Sequence, residues 1–264
     1  MKNAKKFLKV WLLMAKMSAQ DQLTSNWGGF IFLIGKIVRF FFFSLFLFSV
    51  LAASETLAGY TREQVILFFL VFNLVDITCQ FLFRGVYVFR WRIVSGDFDL
   101  DLVKPLPSFF RPLFAWTDFF DFVTLFPLIG FTVWYLIAYQ LTFSWLDLLL
   151  FSLLFFNSLI VGFAVHLFVS SIGVITTEVD HLVWIWRDLF NLARFPTDIY
   201  SPGLRLLLTL IFPVVIVVTV PAKALMGLSS WPIIFGSCGF GFLILVLSLK
   251  FWRYALKRYS SASS

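Results

Sequence analysis

The chain contains apolar runs too long and continuous for the interior of a small soluble domain. Phe40–Ala53 has no charged residue and Leu204–Val220 has one. A helix crosses a bilayer with about 20 mostly apolar residues, whereas membrane barrel strands show ~10-residue segments of strict alternation. These runs do not alternate, so they read as helices. Hydrophobic residues make up 61% of the 264 and charged ones 13%. Soluble domains average about 45–50% and 25%, so much of this apolar surface must face lipid.

The pattern predicts an all-α integral membrane protein with a single transmembrane domain over 1–264. Its six spans are Gly28–Ala53, Val65–Phe83, Leu113–Tyr139, Leu146–Ile175, Leu204–Val220 and Trp231–Trp252. Lys and Arg orient them. Seventeen of the 21 fall on one side: five at the N-terminus, five between spans two and three, three between spans four and five, and four at the end. The other side has Arg62 and Lys223. This asymmetry places both termini and the two longer connections, 84–112 and 176–203, in the cytoplasm. The outer loops, Ser54–Gln64, Gln140–Trp145 and Pro221–Ser230, are short. The +7 net charge lies beside apolar spans, which suits membrane orientation and not nucleic acid.

Residues 1–26 begin with a basic stretch, but Lys9 and Lys16 interrupt any leader-like core. The lysines take one helical face, and Phe7, Leu8, Trp11, Leu12 and Ala15 cluster elsewhere. That is an amphipathic helix lying on an anionic cytoplasmic leaflet. Cys79 and Cys238 both lie in apolar runs and read as packing residues.

The cytoplasmic stretch Arg90–Pro107 has the features of a working element. Ser95-Gly96 breaks the helix leaving span two. Asp97, Asp99 and Asp101 open a new short helix, where acids suit the N-terminus, and Pro105 and Pro107 end it. Phe98, Leu100 and Leu102 are then available to dock a partner, with Lys104 beside them. The alternating aspartates lack the glycine and glutamate of a calcium loop, so no metal is expected.

Span two places Asn73, Asp76 and Gln80 on one face. A charge inside a bilayer needs a partner, and the sequence offers Arg39, with Lys36 as the alternative. His166 in span four could relay protons but is read as hydrogen-bonded to a neighbouring helix. Gly236, Ser237 and Gly241 in span six mark close helix packing. The phosphate loop G-x-x-x-x-G-K-[ST], H-E-x-x-H and G-x-S-x-G are all missing from the sequence, so no enzymatic activity is expected of this chain.

Four features together resemble the permease subunits of ABC-2 type ABC transporters, in their compact bacterial branch. They are the basic helix before span one; Gly96-Asp-Phe-Asp-Leu-Asp-Leu-Val-Lys-Pro105; Phe195-Pro-x-x-Ile-Tyr200 with Leu204-Arg205, Phe212-Pro213 and Pro221-Ala222; and the ending Phe251-Trp-Arg-Tyr-Ala-Leu-Lys-Arg-Tyr-Ser-Ser261. Ala262-Ser263-Ser264 stands where relatives usually end in glycine. The resemblance implies an ABC-2 exporter permease fold in a bacterial inner membrane. It implies a second permease, identical or paralogous, and two cytoplasmic ABC ATPase subunits that bind the ATP and Mg; this chain itself holds no cofactor. Gly96–Pro105 matches the family's coupling helix, and the substrate path would lie along spans one, two and five. The alternative left open is a secondary transporter or channel using Asp76 and His166.

Overall fold

The computed structural model describes residues 2–24, 28–53, 56–139, 141 and 143–260. Parts of the two predicted loops at 54–64 and 140–145, and the ending 262–264, fall outside the described residues. Five helical stretches are long and apolar enough to cross a membrane: α2 (Gly28–Ala53), α3 with its continuation α4 (Arg62–Phe83 and Val86–Val94), α7 (Phe119–Ala138), α8 (Trp145–Thr176) and α12 (Trp231–Lys257). A sixth counts only if a bent pair is taken as one span.

Helix α3 is the axis of the bundle. It starts at a capping box in which the Thr61 hydroxyl accepts from the Gln64 amide and the Gln64 side chain accepts from the Thr61 amide. Val65, Phe68, Val71 and Val75 along it are fully buried. Helix α8 opens on a second capping box, Ser144 with Asp147, and packs along α12. Asn157 of α8 donates to the Ser237 carbonyl at 3.0 Å and occupies the space a Cβ on Gly241 would need. Ser237 and Gly241 thus lie at a close helix crossing, while Gly236 has open space around it and meets no neighbour.

Helix α1 (Lys2–Thr24) is tied to the turn before α7. Gln22 bridges the Thr117 carbonyl and the Phe119 amide at 2.7 and 3.0 Å, and Ser18 accepts from the Thr117 amide. Phe7 and Trp11 pack on Phe110 and Phe81, so only part of the apolar face predicted for a lipid surface is turned outward, notably Leu8 and Leu12. The third span starts later than the predicted Leu113. Short α6 (Phe110–Phe114) ends first, and Asp118 then caps α7 by accepting from the Phe120 and Asp121 amides.

Two expectations are corrected. The predicted span Leu204–Val220 is not a straight crossing. Helix α10 (Pro202–Leu210) and the π-helical turn Val215–Thr219, which leads into α11 (Val220–Leu225), meet at 84°. Pro213 has no amide to donate, and its ring clashes with the carbonyl four residues back, so the helix ends there.

The connection 176–203, expected to be a cytoplasmic connection with an interfacial or partly inserted helix, runs the length of α3 in the opposite direction. Near α5 (Asp97–Leu102), Arg90 donates to the Thr177 carbonyl and Arg187 to the Tyr87 hydroxyl. Midway, the Phe190 and Phe72 rings lie 5.4 Å apart. At the far end the Tyr60 hydroxyl donates to Asp198 at 2.8 Å, beside the small β1–β2 hairpin (Thr56–Leu57 and Tyr60–Thr61). Helix α9 (Asp180–Phe190) buries Val183, Trp186 and Phe190 against the core. The charges of Arg187, Asp188 and Arg194 keep this stretch from reading as a span in the sequence.

Candidate functional site

The stretch Arg90–Pro107 folds into two short helices joined by a tight corner. Gly96 takes φ +80, a left-handed conformation that an L side chain rarely adopts. Helix α5 follows. Asp97 stands at its first turn, its amide on the Ser95 hydroxyl.

Phe98, expected to be free for docking, is instead fully buried. Its ring lies 5.1 Å from Phe89, 6.2 Å from Trp252 and 5.1 Å from Tyr259. On a one-turn helix that rests on a bundle, one side must face inward, and the aromatic ring takes that side because it removes the most apolar area from water. Asp99 lies beside Tyr259, whose hydroxyl is pushed up to about 12 by burial and by that carboxylate.

Asp101 is buried and ringed by three cations. Arg92 reaches it at 2.6 Å, Lys104 at 2.9 Å and Arg111 at 3.2 Å. The Pro105 carbonyl accepts from Lys6 of α1. What remains outward is apolar. Leu100 is 61% exposed and Val103 81%, with Leu102, Trp91 and Val94 around them. An apolar patch standing on a charge-locked base can receive a partner without itself deforming.

The intramembrane polar residues group differently from expectation. Lys36 does not reach Asp76. It pairs with Asp118 at 3.0 Å and Asp121 at 2.6 Å, near the start of α7. Asp76 and Arg39 form no ion pair among the described residues. Asn73 donates back to the Phe69 carbonyl of its own helix, and Gln80 accepts from Arg84.

Asp76 faces a small enclosed cavity shared with Gln80, Cys79, His166 and Trp186, with about 10 Å³ of room for a water's centre. The charges acting with Asp76 come from the stretch along α3, Arg187 and Arg194, while His166 lines the same cavity. The Nδ1 of His166 lies 2.7 Å from the Gly162 carbonyl of its own helix, not on a neighbouring one, and its buried Nε2 has no partner. Charges recurring among Trp184, Trp186 and Phe190 mark Thr177–Pro196 in the sequence as an interfacial or partly inserted helix, but that reading does not bring Arg187 and Arg194 to Asp76.

At the opposite end, Asp198 binds Tyr60, Lys223 at 2.9 Å and Arg205 at 2.9 Å. Burial raises the Asp198 pKa, but hydrogen bonds from Lys223 and Tyr60 and the charges of Lys223 and Arg205 prevail. They hold the carboxyl below the usual carboxylate range. A depressed carboxyl stabilises the fold fully above its unfolded value, about 3.9, and the contribution is lost as pH falls through the folded value. Asp198→Asn should therefore lower stability near pH 7 by about 1–3 kcal/mol and flatten the acid limb below about pH 4. Thermal melting across pH checks both.

The family model described as ABC-2 family transporter protein matches residues 33–263. No curated protein and no solved structure matches the chain.

Proposed function

The chain belongs to the ABC-2 transporter family, and from that premise we propose that it is the permease subunit of an ATP-driven exporter, one half of a permease dimer worked by separate cytoplasmic ATPase subunits. The family is a membrane transport component and not itself a catalyst, and this is a multi-pass membrane protein. On our reading it sits in a bacterial inner membrane, and ATP and Mg are bound by the partner subunits.

The observation that carries the reading is the outward face of α5. Leu100 and Val103 are exposed apolar residues beside a buried, triply paired Asp101. Force applied there passes into α4 through Arg92, into α6 through Arg111, and into α12 through Phe98 and Trp252.

The same reading assigns six crossings: α2, α3, α7, α8, the Asp180–Arg194 stretch and α12. The α10–α11 pair is then a hairpin dipping in from the outer face. An even number of crossings leaves both ends in the cytoplasm, in keeping with the Lys and Arg distribution.

The test is co-purification with a co-expressed ABC ATPase subunit of an ABC-2 type transporter. Leu100→Asp with Val103→Arg should reduce capture at least about tenfold, since an interface hot spot carries about 2 kcal/mol or more. Its elution profile should not change, because both side chains face solvent. Undiminished capture would sink the assignment of α5 as the coupling helix.

A second reading, ion- or proton-coupled transport, is favoured by the shared cavity of Asp76 and His166. Flux into vesicles without ATP, lost in His166→Gln, would establish it in place of the first.

A further inference from the structure

Arg194 ends the 3-10 turn Asn191–Arg194, and its guanidinium stands 4.9 Å from the centre of the Phe43 ring and 5.7 Å from that of Phe72. Phe43 follows Arg39 by one turn on the same face of α2. Arg39 and Arg194 repel each other, and Arg187 adds a third positive charge. Among the described residues Asp76 is the one carboxylate acting on Arg194, and it also serves Arg187. Arg194 donates a hydrogen bond to Asn191 at 2.8 Å, but neither it nor Arg39 has an ion-pair partner among the described residues.

Arg39 is exposed, roughly 17 Å from one end of α2 and 21 Å from the other at 1.5 Å per residue. Positive charge in excess at that depth is costly unless an anion joins it.

We infer that Arg39 and Arg194, walled by Phe43 and Phe72, bind the anionic head of an amphiphile, a phosphate or a carboxylate carrying an aliphatic tail. Guanidinium groups grip such oxygens two at a time, and rings alongside favour the apolar remainder over water. The tail would lie on the outward face of α2, where Val38, Phe42 and Phe46 are exposed. A cationic head would be repelled, and a neutral one would leave the charge uncompensated. That the bound amphiphile is cargo rests on the permease reading above; that the site takes an anion does not.

The direct test is thermal melting of the purified chain in dodecyl maltoside, titrated with dodecyl phosphate or dodecyltrimethylammonium. Dodecyl phosphate should raise the melting temperature. Arg39→Gln and Arg194→Gln should each weaken its apparent affinity about tenfold or more, because hydrogen bonds to charged groups are worth about 1.5–3 kcal/mol. Arg253→Gln, an exposed arginine elsewhere, should not. Unchanged affinity in Arg39→Gln, whose exposed side chain supports no packing, overturns the inference. Equal stabilisation by dodecyltrimethylammonium does so too.

No ATPase is present in this assay, so its failure leaves the coupling assignment standing, and loss of ATPase capture leaves the anion site standing. In phosphatidylcholine vesicles carrying fluorescent phosphatidic acid and the ATPase, ATP-dependent movement between leaflets marks the amphiphile as cargo. Binding without movement marks it as a resident lipid.

Discussion

Asp101→Ala is expected to destabilise the protein by about 3–5 kcal/mol and, on the permease reading proposed above, to abolish ATP-driven transport. The carboxylate is nearly inaccessible, with a side chain 1% exposed, and it holds Arg92, Lys104 and Arg111 together. Removing it leaves three partly exposed cations facing one another with no anion between them, and breaking a pair with a buried partner is far costlier than the pair was favourable. The three cations come from α4, from the end of α5 and from α6, so their separation frees α5 from both neighbours.

Asp101→Asn is the informative companion, since it keeps the shape and loses the charge. It should retain less than half of the stabilisation, because the amide offers one acceptor where three donors converge. Differential scanning fluorimetry in detergent reads the stability of both variants. ATPase stimulation in vesicles reads the coupling. A fully stable Asp101→Ala protein would show that the cluster does not hold α5 in place.

Gly85→Ala should cost about 3 kcal/mol, near the top of the usual range for overpacking. A Cβ on Gly85 would come within 2.7–2.8 Å of the Pro112 and Leu113 backbone. Backbone atoms cannot rotate aside as a side-chain end can. The Gly85 amide also donates to the Leu113 carbonyl at 3.2 Å, which pins the start of α4 to α6. Gly35 and Gly130 have nothing within 4 Å of a Cβ. Alanine there should be harmless, or stabilising by about 0.5–1 kcal/mol through lost unfolded-state freedom. Comparable melting temperatures for Gly85→Ala and Gly130→Ala would refute the close approach.

Where one physical effect dominated, the residues could be read directly. Gly28–Ala53 is an uncharged stretch apart from Lys36 and Arg39, and its helix has the bounds read from it. Gly96 followed by three alternating aspartates located α5, because a left-handed corner and an acidic first turn are local requirements.

One error was local, an apolar run counted across its own proline, and the others came where tertiary contacts decide. Leu204–Val220 is apolar enough to cross, but Pro213 breaks it into two arms. Asp180–Arg194 is too charged to read as a crossing on hydropathy. It is packed along α3 nonetheless, because Val183, Trp186 and Phe190 are buried and its arginines share the field of Asp76. The Asp76–Arg39 pairing failed for the same reason. The compensating charges were on a stretch that had been placed elsewhere, and Lys36 was already held by Asp118 and Asp121. Phe98 was assigned outward because a linear pattern does not say which side of a six-residue helix meets the bundle.

The contact of Phe98 with Trp252 gives α12 the geometry of a lever. The helix has 27 residues, about 40 Å at 1.5 Å per residue, and Trp252 stands near the end that α5 touches. A tilt of about 5° about the Asn157 contact would carry the α5 end roughly 1.7 Å and the far end roughly 1 Å the other way. Asn157, held against Ser237 and Gly241 about a third of the way from the far end, is placed where a fulcrum would be. A stroke at α5 would thus reach the opposite side reversed in direction and shortened to about three fifths, with force gained in place of distance.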